Sequence, residues 1–202
     1  MTGQAAERAA VMDAAYRALT ASKGASVSVT DILRAAGLST RAFYRHFESK
    51  DELLLALFRR DAERVMNQSD AAASAECPRD ALANFLAMYL RIAADPRRRR
   101  RMLVLSSPEI TRARGYAEER RRFNAVQEAA IAAILERGLA NGSFPYAKPA
   151  SDARWIRAAL SNAFDEQVAG TTRTADDVVA ELTDFALRAL GAPATECPAP
   201  NR

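Results

Sequence analysis

Histidine occurs once in the 202 residues, as His46, and cysteine twice, as Cys77 and Cys197. A single histidine excludes a zinc site built on histidine ligands, and a Ser–His–Asp triad would have to recruit that same residue. The cysteines stand far apart, each before a proline, with neither metal spacing nor a disulfide framework. No run approaches the ~20 apolar residues of a membrane span, and the N-terminus lacks the uninterrupted apolar stretch of a signal peptide. Phosphate loops and nucleophile–base pairs are also missing, and the adjacent acids Asp165 and Glu166 would not share a helix face. These absences point to a cytoplasmic chain with no cofactor, no metal and no membrane partner, and they argue against an enzyme.

What is present favours helix. Hydrophobic residues make up 49% and charged residues 27%, with only 8 Gly and 8 Pro, and alanine, leucine and arginine are abundant while β-branched runs are short. The expected fold is all-α with a substantial core. Residues 1–50 hold seven Lys/Arg against four Asp/Glu, so three of the four net positive charges fall in a quarter of the chain. A basic N-terminal segment suits a polyanionic partner.

Apolar residues recur at helical spacing over 8–19 (Val11, Met12, Ala15, Tyr16, Leu19), and Lys23-Gly24 closes that helix. Three helix starts then follow within thirty residues. Ser28-Val29-Thr30-Asp31 is a capping box, and its helix stops at Gly37, a residue suited to the left-handed position after a helix. Ser39 can cap a second short helix over 40–47. Ser49-Lys50-Asp51-Glu52 is another capping box, opening a helix over 51–66. A small-residue linker is expected over 71–79, then helices over 80–94, 96–105, 112–140, 151–169 and 175–190. The last eleven residues, with three prolines, read as a disordered tail over 192–202.

Two short helices joined by Gly37-Leu38-Ser39 have the dimensions of a helix-turn-helix. On the second, Phe43 and Phe47 are expected to pack against Ile32, Ala35, Leu38 and the first helix. The opposite face carries Thr40, Arg41, Tyr44 and Arg45. Arginine can donate two hydrogen bonds to a guanine edge, threonine offers a hydroxyl or methyl contact, and tyrosine can donate to a phosphate. Lys50, in the first turn of the next helix, and Thr30, in the first turn of the preceding one, point to phosphate contacts on either side. Ser39 joins this set. His46 lies at its flank, either touching a phosphate or completing the packing.

The segments Val29-Thr30-Asp31-Ile32, Ala35-Ala36-Gly37-Leu38-Ser39 and Phe43 through Leu53 resemble the DNA-binding domain of TetR-family repressors, as do Arg8, Asp13-Ala14-Ala15 and Gly24 upstream. The likeness covers about residues 7–58. It departs at Ala25, Leu33 and Arg41, where an aromatic, a small residue and a glycine are usual. The resemblance implies a three-helix helix-turn-helix domain over 7–50, a connecting helix over 51–66, and a larger helical ligand-binding and dimerisation domain over 67–191. It also implies a ligand-responsive regulator of transcription that binds a double-stranded operator as a homodimer.

Arg97 through Arg101 form a run that a helix must scatter around its axis. It is either a solvated, partly ion-paired surface or, by the family's layout, an aid to DNA attraction or ligand relay. Phe85, Tyr89, Met102, Phe123, Trp155 and Phe164 are either core or the lining of a pocket for a hydrophobic or amphipathic effector. Ala158, Ala159 and Ala163, with Val178, Val179, Leu182, Phe185 and Leu190, suit close helix packing, within one subunit or between two. A DNA-binding protein without a ligand would share the same N-terminus.

Overall fold

The computed structural model describes residues 3–22 and 26–193. The helix closure at Lys23-Gly24, Cys197 and the tail from residue 194 onward lie outside the described residues. The fold is all-α. Among the described residues it comprises α1 (Gly3–Ala21), α2 (Val29–Ala36), α3 (Thr40–Tyr44), α4 (Lys50–Ala73), α5 (Pro78–Ala94), α6 (Pro96–Leu105), α7 (Pro108–Thr111), α8 (Tyr116–Ala140), α9 (Pro149–Ala169) and α10 (Ala175–Ala189).

Several boundaries differ from the sequence expectation for local reasons. Helix α4 runs on through Ala71-Ala72-Ala73, since alanine is the best helix former, and the expected linker over 71–79 shrinks to 74–77. Pro78 and Pro149 sit in the first turns of α5 and α9, where the fixed φ suits a helix start. Pro108 likewise opens α7, a single turn where only a break was expected, and α8 begins at Tyr116 instead of residue 112. Cys77, at the N-cap of α5, is disulfide-bonded, which the cysteine spacing did not suggest.

The chain divides into two compact units, one of residues 1–62 with 100–121, the other of 63–99 with 122–202. In the first, α1 packs on α2 and α3 over a core that includes Val11, Leu19, Ile32, Leu33, Phe43, Phe47 and Leu57. Asp13 of α1 pairs with Arg60 of α4 at 2.9 Å. Arg101 reaches the Asp61 carboxylate at 2.6 Å and lies 4.9 Å over the Tyr16 ring. In the second unit α5 packs on α9 and α10 around Leu82, Phe85, Leu86, Leu90, Ile134 and Phe144. Phe144 packs against α8 at Gly138, where any side chain would overlap the ring, so only glycine lets the loop close there. Elsewhere in that unit, Arg99 donates from Nε to the Val168 carbonyl near the end of α9, at 2.8 Å.

Candidate nucleic-acid interface

Local chemistry places the two short helices of the first unit. The Ser28 hydroxyl accepts from the Asp31 N–H at 3.1 Å and donates to the Asp31 carboxylate at 2.6 Å, so the capping box starts α2. At the other end Gly37 takes φ of 66°, while Leu38 N–H reaches the Leu33 carbonyl at 3.1 Å and Gly37 N–H the Arg34 carbonyl at 3.3 Å. This paired closure turns the chain sharply. Ser39 then accepts from the Ala42 N–H at 3.2 Å, which starts α3 and commits the Ser39 oxygen lone pairs partly to capping.

α3 ends at Tyr44, three residues short of the expected Phe47, and Arg45 stands at its C-cap. The chain keeps turning, with His46 N–H and Phe47 N–H both on the Phe43 carbonyl, at 2.9 and 3.0 Å. Phe43 and Phe47 are fully buried, their ring centroids 5.6 Å apart. Their partners on α2 differ from expectation: Ile32 and Leu33 are buried, Leu38 is half-buried and Ala35 is exposed. The inward stripe of α2 is Val29, Ile32, Leu33 and Ala36, at offsets i, i+3, i+4 and i+7, and Ala35 falls off it.

Thr30, Thr40, Arg41, Tyr44 and Arg45 are all exposed, Tyr44 at 61% although its ring meets Phe43 edge-on at 5.2 Å. A tyrosine braced in this way offers its hydroxyl to solvent without loss of ring packing. Arg45 and His46 both turn to Glu7 of α1, at 3.0 Å each. The hydrogen bond from His46, then the charge and hydrogen bond of Arg45, hold the Glu7 carboxyl below the usual range despite some desolvation. His46 is thus mostly withdrawn from solvent, its ring beside Phe47.

Lys50 opens α4, where the Ser49 hydroxyl accepts from the Glu52 N–H at 3.1 Å and the Glu52 carboxylate accepts from the Glu48 N–H at 2.5 Å. The Lys50 ammonium donates to the Glu109 carboxylate of α7 and to the Ser26 hydroxyl at 3.3 Å. Burial pushes the Glu109 carboxyl up, but hydrogen bonds from Lys50, Ser26 and the Val27 backbone outweigh it and hold the group below the ordinary value.

Residues 11–57 match the family model of bacterial regulatory proteins, tetR family. The matched residues run from within α1 into α4, so the likeness to that family rests on this N-terminal segment. Solved structures share the chain's fold along nearly the whole length. A tetR-family regulatory protein from Rhodococcus RHA1 is 21% identical, covers 93% of this chain and 98% of its own, and has a TM-score of 0.68. For FadR, a fatty acid degradation regulator from Bacillus halodurans, the values are 17%, 88%, 96% and 0.69. For SmeT in complex with triclosan they are 22%, 98%, 99% and 0.73. No curated protein matches the sequence.

The candidate pocket residues separate in the structure. Phe85 and Tyr89 are buried in the second unit's core, their rings 5.0 Å apart, and Phe123 and Phe164 pack partly buried against the same cluster. Trp155 is 67% exposed, and half-buried Met102 belongs to the first unit. The Tyr89 hydroxyl shares a 2.9 Å hydrogen bond with Ser69, and burial pushes its pKa up. Of the arginine run, Arg99 and Arg101 turn inward, while Arg97, Arg98 and Arg100 are exposed. Among the described residues no cluster of three or more His, Cys, Asp or Glu could hold a metal, and no helix is long and apolar enough to cross a membrane.

Two carboxylates that the sequence did not single out, Glu7 and Glu109, sit on the candidate DNA-contacting cations. Glu7 carried no local signal, since it lies 38 residues from Arg45. Glu109 carried none, since it lies 59 residues from Lys50.

Proposed function

We propose that the protein is a ligand-responsive repressor that binds a palindromic operator as a homodimer in the cytoplasm. Each subunit lays α3 in a major groove. The observation that carries this reading is the division of α3: Phe43 and Phe47 are sunk in the core, while Thr40, Arg41, Tyr44 and Arg45 stand exposed between capped helices. Arg41 is the base reader, and Arg45, steadied by Glu7, supports it. Tyr44, Thr30, Ser39, Lys50 and the flanking His46 set the register on phosphates. Residues 7–50 read DNA, 51–66 connect, and 67–191 bind the effector and the second subunit, although 100–121 cluster with the reading unit.

The dimer forms through α9 and α10. Their outward residues include Trp155, Ala158 and Phe185, the last 49% exposed. Half-sites about 34–36 Å apart, one helical turn, then match the two-fold symmetry. The effector is hydrophobic or amphipathic, a view supported by SmeT's complex with triclosan. It enters where Phe123 and Phe164 edge the aromatic cluster, with Tyr89 as its polar contact. By linkage, a ligand that prefers the DNA-free form weakens DNA binding by the factor by which DNA weakens the ligand.

Selection from random duplexes tests the core of this reading. Arg41→Ala relaxes preference at one position of each half-site, whereas Tyr44→Phe and Lys50→Ala weaken binding to all sequences alike. Unchanged specificity in Arg41→Ala overturns the assignment. Operator affinity that stays constant as a bound effector is titrated overturns the ligand-released mechanism and favours a regulator without a ligand.

A further inference from the structure

Lys50, in the first turn of α4, is held by one of the protein's own carboxylates. Three donors converge on Glu109: the Lys50 ammonium, the Ser26 hydroxyl at 3.1 Å, and the Val27 backbone. The Lys50 and Glu109 side chains are 28% and 16% exposed, so solvent screens the pair less than it would a surface salt bridge. Two of the three ammonium donors are spent on Glu109 and Ser26.

We infer that Glu109 is an internal competitor of DNA phosphate, holding Lys50 in the DNA-free protein so that phosphate contact requires its displacement. This rests on the reading of Lys50 as a phosphate contact. A lysine bound to a carboxylate brings no net charge to the duplex, and a phosphate beside Glu109 meets like-charge repulsion. Glu109 has somewhere to go. Its single-turn helix borders a cavity of about 420 Å³, lined also by Asp51, Leu54, Pro108 and Arg112.

A brace that merely points Lys50 at DNA would have the same geometry, and one substitution separates the two. Glu109→Gln keeps the shape and an acceptor for Lys50 but removes the charge. Affinity is measured by fluorescence anisotropy on an operator duplex and on a random-sequence duplex over a range of salt. Release of one lysine tightens Glu109→Gln on both duplexes by roughly tenfold near physiological salt, and steepens the salt dependence by about one unit. Lys50→Ala weakens both, and the double variant binds like Lys50→Ala. Ser26→Ala, which loosens the carboxylate and leaves its charge, gives a smaller gain in the same direction and remains a test if Glu109→Gln melts early.

Weaker binding by both Glu109→Gln and Lys50→Ala makes Glu109 a brace and overturns the inference while leaving Lys50 as a phosphate contact. An equal gain from Glu109→Gln in the Lys50→Ala background means that Glu109 acts as bulk charge, which also overturns it. Binding unaffected by Lys50→Ala removes the reading of Lys50 itself.

Discussion

Tyr44 of α3 and Trp155 of α9 are both large aromatic residues left in solvent, at 61% and 67% exposure, yet they stand in different company. Around Tyr44 are Thr40, Arg41 and Arg45, hydroxyls and guanidinia that suit a phosphate and base surface. On α9, Ala158 and Asn162 follow Trp155 at one- and two-turn spacing and are exposed, and α10 carries exposed Phe185. Small and aromatic residues without clustered cations suit protein contact, where aromatic side chains carry much of the binding energy. An exposed aromatic therefore says little alone, and the charge of its neighbours separates a nucleic-acid face from a face for a second subunit.

The strongest way to break the contrast is through the core beneath each face. Phe43 is fully buried and Phe185 half exposed, so the same truncation acts differently at the two. Phe43→Ala destabilises by ~3–5 kcal/mol and removes DNA binding, whereas Phe185→Ala leaves folding nearly unchanged. Thermal melts followed by circular dichroism check both. Next in size is the joint change Trp155→Glu with Phe185→Glu, which weakens self-association by about 2 kcal/mol or more and gives a monomer in sedimentation velocity while helicity stays intact. A charge at Leu182 is a poor probe of the same face, because that side chain is buried in its own subunit's core. On the DNA side the effects are smaller. Arg41→Ala costs ~1–3 kcal/mol at one position of each half-site, and Tyr44→Phe costs about 1 kcal/mol on every sequence, both read from binding isotherms.

The two regions also differ in how far their residues announced them. Ser28, Gly37, Ser39 and Ser49 act on groups within five residues in sequence, so the caps of α2, α3 and α4 could be read from local chemistry. Phe43 and Phe47 followed from spacing alone. The partner of that pair was harder, because Leu33 and Ala35 are both apolar and the helix phase decides between them. For the aromatics of the second unit, periodicity named a set without saying which would be buried, and Phe85 and Trp155 ended on opposite sides of that question. The pairs Arg45–Glu7 and Lys50–Glu109 span 38 and 59 residues, and no local pattern encodes them.

The smallest expected effect concerns how the first of those pairs depends on pH. Hydrogen bonds and charge from His46 and Arg45 hold the Glu7 carboxyl below its ordinary pKa. A carboxyl lowered in the folded state stabilises the fold where it is ionised in both states, above its unfolded value of ~4.3, and loses that contribution as pH falls through the lower folded value. Glu7→Gln should therefore melt slightly below the wild type at neutral pH, and the gap should close as the solution is acidified below about pH 4. With the Glu7 side chain 30% exposed, added salt should shrink the neutral-pH gap. The same substitution releases Arg45 on the DNA face, so its effect on operator affinity, measured at neutral pH, reports whether Glu7 steadies that arginine or withholds it. A melting difference that persists unchanged under acid would show that Glu7 contributes through packing and not through its charge.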